Sequence, residues 1–103
     1  MEVIEQAIRG TIKDSQKPVI IDFYANWCGP CKMFGPIFDK ATTELADKYT
    51  LIKVDIDQMP SLAAEYEVLS LPTVVHLEGG KVIKSRKGAM PTVDVLRKWI
   101  EQT

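Results

Sequence analysis

Cysteine and histidine are scarce in this chain: its 103 residues hold two cysteines and one histidine. Two cysteines cannot brace the distant loops of a small secreted scaffold. With His76 they supply fewer than the four ligands that structural zinc usually takes. A surplus of charge is also lacking. The formal net charge is -1, which leaves no basic excess to hold nucleic acid or an anionic membrane. No apolar stretch approaches the length of a bilayer span, and there are no repeats, linkers or low-complexity tracts. The N-terminal Met1-Glu2-Val3-Ile4-Glu5-Gln6 is acidic and amphipathic, without the basic head, apolar run and small-residue cleavage site of a secretory signal. These absences point to a cytoplasmic protein in a reducing compartment. Residues 1–103 suit a single domain, and a 46% hydrophobic share is enough for one core.

Apolar periodicity then orders the chain. Ile4, Ile8 and Ile12 recur at helical spacing, and the pattern breaks at Asp14-Ser15-Gln16-Lys17-Pro18. A strand before that helix could use only the first few residues. Val19 to Tyr24 is a nearly unbroken apolar run of the kind a central, doubly covered strand needs. Phe34, Ile37, Phe38, Ala41, Leu45 and Tyr49 mark the buried stripe of a long helix with Pro36 inside it, where a kink is expected. Leu51 to Ile56 reads as a second short strand, and Pro60 opens a short helix through Leu62, Ala63 and Tyr66. Thr73 to Leu77, Gly79-Gly80 and Val82-Ile83 predict a β-hairpin on a glycine turn. Pro91 starts a last helix with Val95, Leu96, Trp99 and Ile100 on one apolar stripe. Strand–helix–strand units imply parallel pairing with right-handed crossovers, and the closing hairpin adds antiparallel strands. The fold class is α/β, a three-layer sandwich of helices on both faces of a mixed sheet.

The chemistry concentrates where the first strand meets the long helix. Cys28 and Cys31 flank Gly29-Pro30 at a helix start, where free backbone N–H groups and the helix dipole favour a thiolate. Cys28, at or just before the first turn and the more exposed, is expected to be the nucleophile. Cys31, one turn in and packed, is the resolving thiol. A zinc half-site and an inert buried pair are the alternatives. The absence of a histidine between the cysteines, with Gly29 and Pro30 in its place, tunes the pair toward a firmly held disulfide and a reducing role rather than that of an oxidase or isomerase. Asp22 interrupts the apolar strand. Buried there, it would have a raised pKa and could accept the proton of Cys31; on a solvated face it would be an ordinary aspartate. Lys53, on the neighbouring strand, could approach Asp22 or remain solvated. Trp27 reads as a wall of the site. His76 reads as a strand residue, and Met33, Met59 and Met90 as packing.

In order and spacing, Asp22-Phe23, Trp27-Cys28-Gly29-Pro30-Cys31-Lys32, Pro36, Lys53 with Asp57, Pro72-Thr73, Gly80 and Gly88-Ala89 closely resemble the thioredoxin family over nearly the whole chain. The resemblance implies the thioredoxin fold and general protein-disulfide reduction without a bound cofactor or metal. Leu71-Pro72-Thr73 by itself reads as a trans proline at a strand start, whereas the resemblance implies a cis Pro72 packed against the cysteines, and a substrate groove of Trp27, Gly29, Pro30, Leu71, Pro72, Gly88 and Ala89. The implied partners are disulfide-containing proteins and a thioredoxin reductase as electron donor. A monomer is expected, and the charge balance speaks against nucleic-acid or membrane contact. The chain departs from the family pattern at Tyr24, often a second tryptophan, at Met59, which caps the following helix poorly, and at Ser70, often glycine in bacterial members. The N-terminus is short by a few residues, which bears on a first edge strand.

Overall fold

The computed structural model describes residues 2–102. The elements are α1 (Glu2–Asp14), β1 (Val19–Tyr24), α2 (Gly29–Glu44), β2 (Thr50–Asp55), α3 (Pro60–Glu65), β3 (Thr73–Glu78), β4 (Lys81–Lys87) and α4 (Val93–Glu101). One four-stranded sheet has the order β2-β1-β3-β4. β1 pairs parallel with β2 and antiparallel with β3, and β3 pairs antiparallel with β4. The sheet is therefore mixed, as the element order requires.

Alternation along β1 divides the core. Val19, Ile21 and Phe23 pack with Ile8 and Ile12 of α1 and Leu62 and Ala63 of α3. Ile20 packs on the other face with Phe34, Phe38 and Ala41 of α2 and Leu96 and Ile100 of α4. Asp22 shares the parity of Ile20 and so points toward α2. Each fully buried Phe or Ile contributes on the order of 2 kcal/mol. These two apolar layers hold the start of α2 against the C-terminal end of β1.

Several boundaries differ from the sequence reading. Residues from Glu2 onward are helical, so a leading strand has no place among them; Met1 lies outside the described residues. α2 continues through Pro36 but stops at Glu44, where Leu45 caps it. The carbonyl of Leu45 accepts from both Lys48 and Tyr49 N–H, so a turn carries Tyr49 to the edge of β2 rather than into the helix. Leu45 and Tyr49 still pack on the α2–α4 cluster, which accounts for the apparent long stripe. β2 begins and ends one residue before the apolar run that predicts it.

α4 starts at Val93, two residues after Pro91, because the Thr92 hydroxyl accepts from Val95 N–H at 3.1 Å and fixes the first turn. Val95 faces outward, so the buried stripe is Leu96 and Ile100 with Trp99 at its edge. Thr92→Ala should lower stability by about 1 kcal/mol. The midpoint of thermal unfolding should then fall by roughly 4–8 °C. An unmoved midpoint would mean that the hydroxyl contributes nothing to α4.

Gly79 and Gly80 both take positive φ, 59° and 79°, as a tight hairpin turn demands. Met59, before α3, makes no side-chain cap, and its thioether is buried in the core instead. Met90 is likewise buried, but Met33 is not: it is 66% exposed on α2, which corrects its assignment to packing.

Candidate active site

Cys28 is the N-cap residue of α2. Its backbone is extended (φ -88°, ψ 116°), Pro30 occupies the first turn, and the Cys28 sulfur accepts from Cys31 N–H at 3.2 Å. A proline there removes an N–H that would have no intrahelical partner, and its fixed φ suits the turn. Cys28 and Cys31 form a disulfide with Cα atoms 5.2 Å apart. In this state the two are almost equally buried, 6% and 5% exposed. The expected contrast in exposure is therefore absent.

The surroundings differ more. Cys28 borders a mainly apolar groove of about 420 Å³ lined by Trp27, Gly29, Pro30, Ile56 and the run Val68 to Leu71. Cys31 borders a separate polar cleft of about 280 Å³ that includes Tyr24, Asn26, Lys32, Asp39 and Lys53.

Trp27 is 68% exposed and its indole Nε1–H donates to Asp57 Oδ2 at 2.9 Å. That bond holds the indole in the lining of the groove beside Cys28. Leu71 packs against Ala25, Cys28 and Cys31, and the Leu71–Pro72 peptide is cis. Gly88, with φ 93°, donates its N–H to the Pro72 carbonyl at 2.8 Å, joining the end of β4 to the Pro72 turn. Ala89 packs into the α2–α4 core cluster. The structure thus brings Trp27, Gly29, Pro30 and Leu71 to the groove wall beside Cys28. Pro72, Gly88 and Ala89 are not among the residues that line it.

Sequence reasoning missed Ile56, Val68, Leu69 and Ser70 as groove residues. Leu69 is 86% exposed, and the one signal was an apolar Val68-Leu69 pair lying outside any helix or strand pattern.

Asp22 is 1% exposed and its Oδ1 has no hydrogen-bond partner. Burial pushes its pKa up from 3.8 to about 7, against the pull of Lys53 and with a smaller push from Asp39. The Lys53 ammonium lies 3.3 Å from Asp39 Oδ1 and 5.1 Å from the centre of the Tyr24 ring. Lys53 therefore faces the cleft in an ion pair of its own. Asp39 had no place in the sequence reading.

His76 is buried on β3 between the rings of Tyr49 and Trp99, away from both cysteines, as a strand residue. Among the described residues no group of three or more His, Cys, Asp or Glu side chains could hold a metal ion. No helix there is long and apolar enough to cross a membrane.

The family described as Thioredoxin matches residues 1–102. A thioredoxin of Mycoplasmoides gallisepticum is 47% identical over 77 residues, covering 75% of this chain and 76% of that one. A bifunctional thioredoxin reductase/thioredoxin of Mycobacterium leprae is 37% identical over 97 residues, 94% of this chain but 21% of that larger protein. Among solved structures, the oxidized form of mitochondrial thioredoxin 3 from Saccharomyces cerevisiae superposes with a TM-score of 0.81 at 37% identity, covering 96% of this chain and 90% of that one. A redox-competent cysteine pair at the start of α2, a mixed sheet between two helical layers and a match over almost the full length converge on one statement: the chain belongs to the thioredoxin family of protein-disulfide oxidoreductases.

Proposed function

We propose that this chain reduces protein disulfides with Cys28 as nucleophile and Cys31 as resolving thiol. In the reduced state the Cys28 thiolate attacks one sulfur of a substrate disulfide. A mixed disulfide forms, and the other substrate sulfur leaves as a thiolate. Cys31 gives its proton to Asp22 and attacks the Cys28 sulfur, releasing the second substrate thiolate. The Cys28–Cys31 disulfide closes, and two electrons have passed to the substrate. The cysteines carry the electrons themselves, so no bound cofactor enters.

The observation that carries the assignment is the N-cap position of Cys28. The Cys31 N–H that bonds to the Cys28 sulfur, together with the positive end of α2, stabilises negative charge on Cys28 and not on Cys31. Gly29 and Pro30 add no charge that would favour the thiolate further, which suits a reductant. Trp27 and Leu71 line the docking surface, with Pro72, Gly88 and Ala89 assigned to its support, and an extended segment carrying the target disulfide would lie in the apolar groove beside Cys28.

The electron donor in this reading is a thioredoxin reductase. The Mycobacterium leprae relative, named for both activities, supports that pairing. A monomeric single domain over residues 1–103, working in the cytoplasm on protein partners rather than nucleic acid or membrane, completes the proposal. The near-neutral charge balance supports protein partners over nucleic acid or an anionic membrane.

Brief alkylation of the fully reduced protein at neutral pH tests the roles. Cys28 should be modified at least roughly tenfold faster than Cys31, as its place at the start of α2 requires. Equal rates, or faster modification of Cys31, would exchange the two roles.

A further inference from the structure

The polar cleft beside Cys31 holds a charged pair that the mechanism above does not use. Lys53 stands opposite Asp22 in the parallel register of β1 and β2. Neighbouring strands lie about 4.8 Å apart, so both side chains leave the sheet side by side on the α2 face. A buried carboxylate is a natural counter-ion for such a lysine, yet Asp22 Oδ1 has no hydrogen-bond partner. The ammonium is held elsewhere. Lys53 Nζ lies 3.3 Å from Asp39 Oδ1 and 5.1 Å from the Tyr24 ring centre. It also sits 3.6 Å from the point that a Cβ on Gly35 would occupy.

We propose that Asp39 is a positioning residue for the dithiol reaction: it holds the Lys53 ammonium at the rim of the polar cleft, off the Asp22 carboxylate, and so keeps Asp22 able to hold a proton. The kinetic consequence, though not the positioning, rests on the reading of Asp22 as proton acceptor for Cys31.

Electrostatics gives the reason. Asp39 is 61% exposed, so its ion pair with Lys53 adds little to stability. Its effect lies in where it leaves the positive charge. Swung inward, the ammonium would meet a desolvated carboxylate in a weakly screening interior and stabilise the ionised form strongly. Drawn outward, it acts on Asp22 from a distance and through more solvent. Lys53 and Asp39 are the charged groups that act on Asp22. β3 presents the apolar Val74 opposite it, and Cys31 and Lys32 of α2 line the neighbouring cleft.

The test follows the Asp22 carboxyl carbon by NMR across pH in the oxidised protein, where the cysteines do not titrate. Four proteins are compared: the parent, Asp39→Asn, Lys53→Met and the double variant. Asp39→Asn should lower the Asp22 midpoint by about one pH unit, as a closer cation does. In the Lys53→Met background the same substitution should lower it by roughly a third of that, because only the direct repulsion by Asp39 is then removed. Equal displacements in the two backgrounds would show that Asp39 acts through its own field alone and would overturn the proposal, as would an unmoved midpoint. In parallel, the pH profile of mixed-disulfide resolution should move with the midpoint. A midpoint that moves while the rate profile stays fixed supports the positioning role and instead removes Asp22 as proton acceptor.

Discussion

Serine in place of Cys28 should cut the rate of insulin-disulfide reduction, with dithiothreitol as donor, by roughly 10³-fold or more. A serine hydroxyl does not ionise near neutrality and cannot perform the exchange. It can still accept an N–H bond at the N-cap, among the best residue types there, so α2 should keep its start and the variant its fold. The loss would therefore report chemistry rather than unfolding. Cys31→Ser should lose turnover to a similar extent but for a different reason. Cys28 would still attack, and the mixed disulfide would persist for want of a resolving thiol. Mass spectrometry of reduced Cys31→Ser incubated with a disulfide-containing protein should find a one-to-one covalent adduct that dithiothreitol releases, whereas Cys28→Ser should form none. The opposite pattern would reverse the assignment. Turnover surviving in both single variants would remove the dithiol from the function. Biological activity retained by Cys28→Ser, Cys31→Ser protein would favour a binding module over a redox enzyme.

What the sequence made legible follows from how local each signal was. Val19 to Tyr24 is apolar on both sides because both faces of β1 are covered, and it appears as predicted. The hairpin turn was legible because only glycine adopts the positive φ of Gly79 and Gly80 without strain. The cysteine pair was legible because its spacing and its place at a helix start are themselves local.

Termini of elements were less so. Tyr49 continues the apolar spacing of α2 because it packs on the same cluster after a turn, and periodicity alone does not separate those cases. Thr92, not Pro91, sets the start of α4 through a single side-chain bond. Residues brought together by topology were the least legible. Asp39 and Lys53 lie on different elements, and their ion pair forms only when α2 packs over β2. Leu69 joins the groove only once the segment before Pro72 folds back beside Cys28. The similar burial of Cys28 and Cys31 was not legible either, because it depends on what packs around each thiol rather than on its place along α2.

Asp22→Asn should raise stability and slow catalysis together. The Asp22 side chain is buried and one carboxyl oxygen is unpartnered, so ionisation within the fold is costly and its pKa rises from 3.8 to about 7. Between those two values the folded protein binds more protons than the unfolded chain. Stability must then fall as pH rises through that window. The contribution of the protonated carboxyl is fully present below pH 3.8 and is lost once pH has passed about 7. The interval corresponds to at most roughly 4 kcal/mol. Asparagine is neutral at every pH, so the variant should lack this decline. Near pH 4 it should match the parent or be slightly weaker, and near pH 8 it should be more stable by about 2–3 kcal/mol once the cost of an incompletely bonded amide is subtracted. That gain corresponds to a rise of roughly 10 °C or more in the thermal midpoint. Resolution of the mixed disulfide should slow by roughly tenfold to a hundredfold near neutrality, because Cys31 has lost the group that takes its proton. Denaturation curves at pH 4 and pH 8, with single-turnover kinetics on the same samples, measure both. A less stable variant at pH 8 would identify Asp22 as a well-paired carboxylate. An unchanged rate would leave water, entering by the polar cleft beside Cys31, as the proton acceptor.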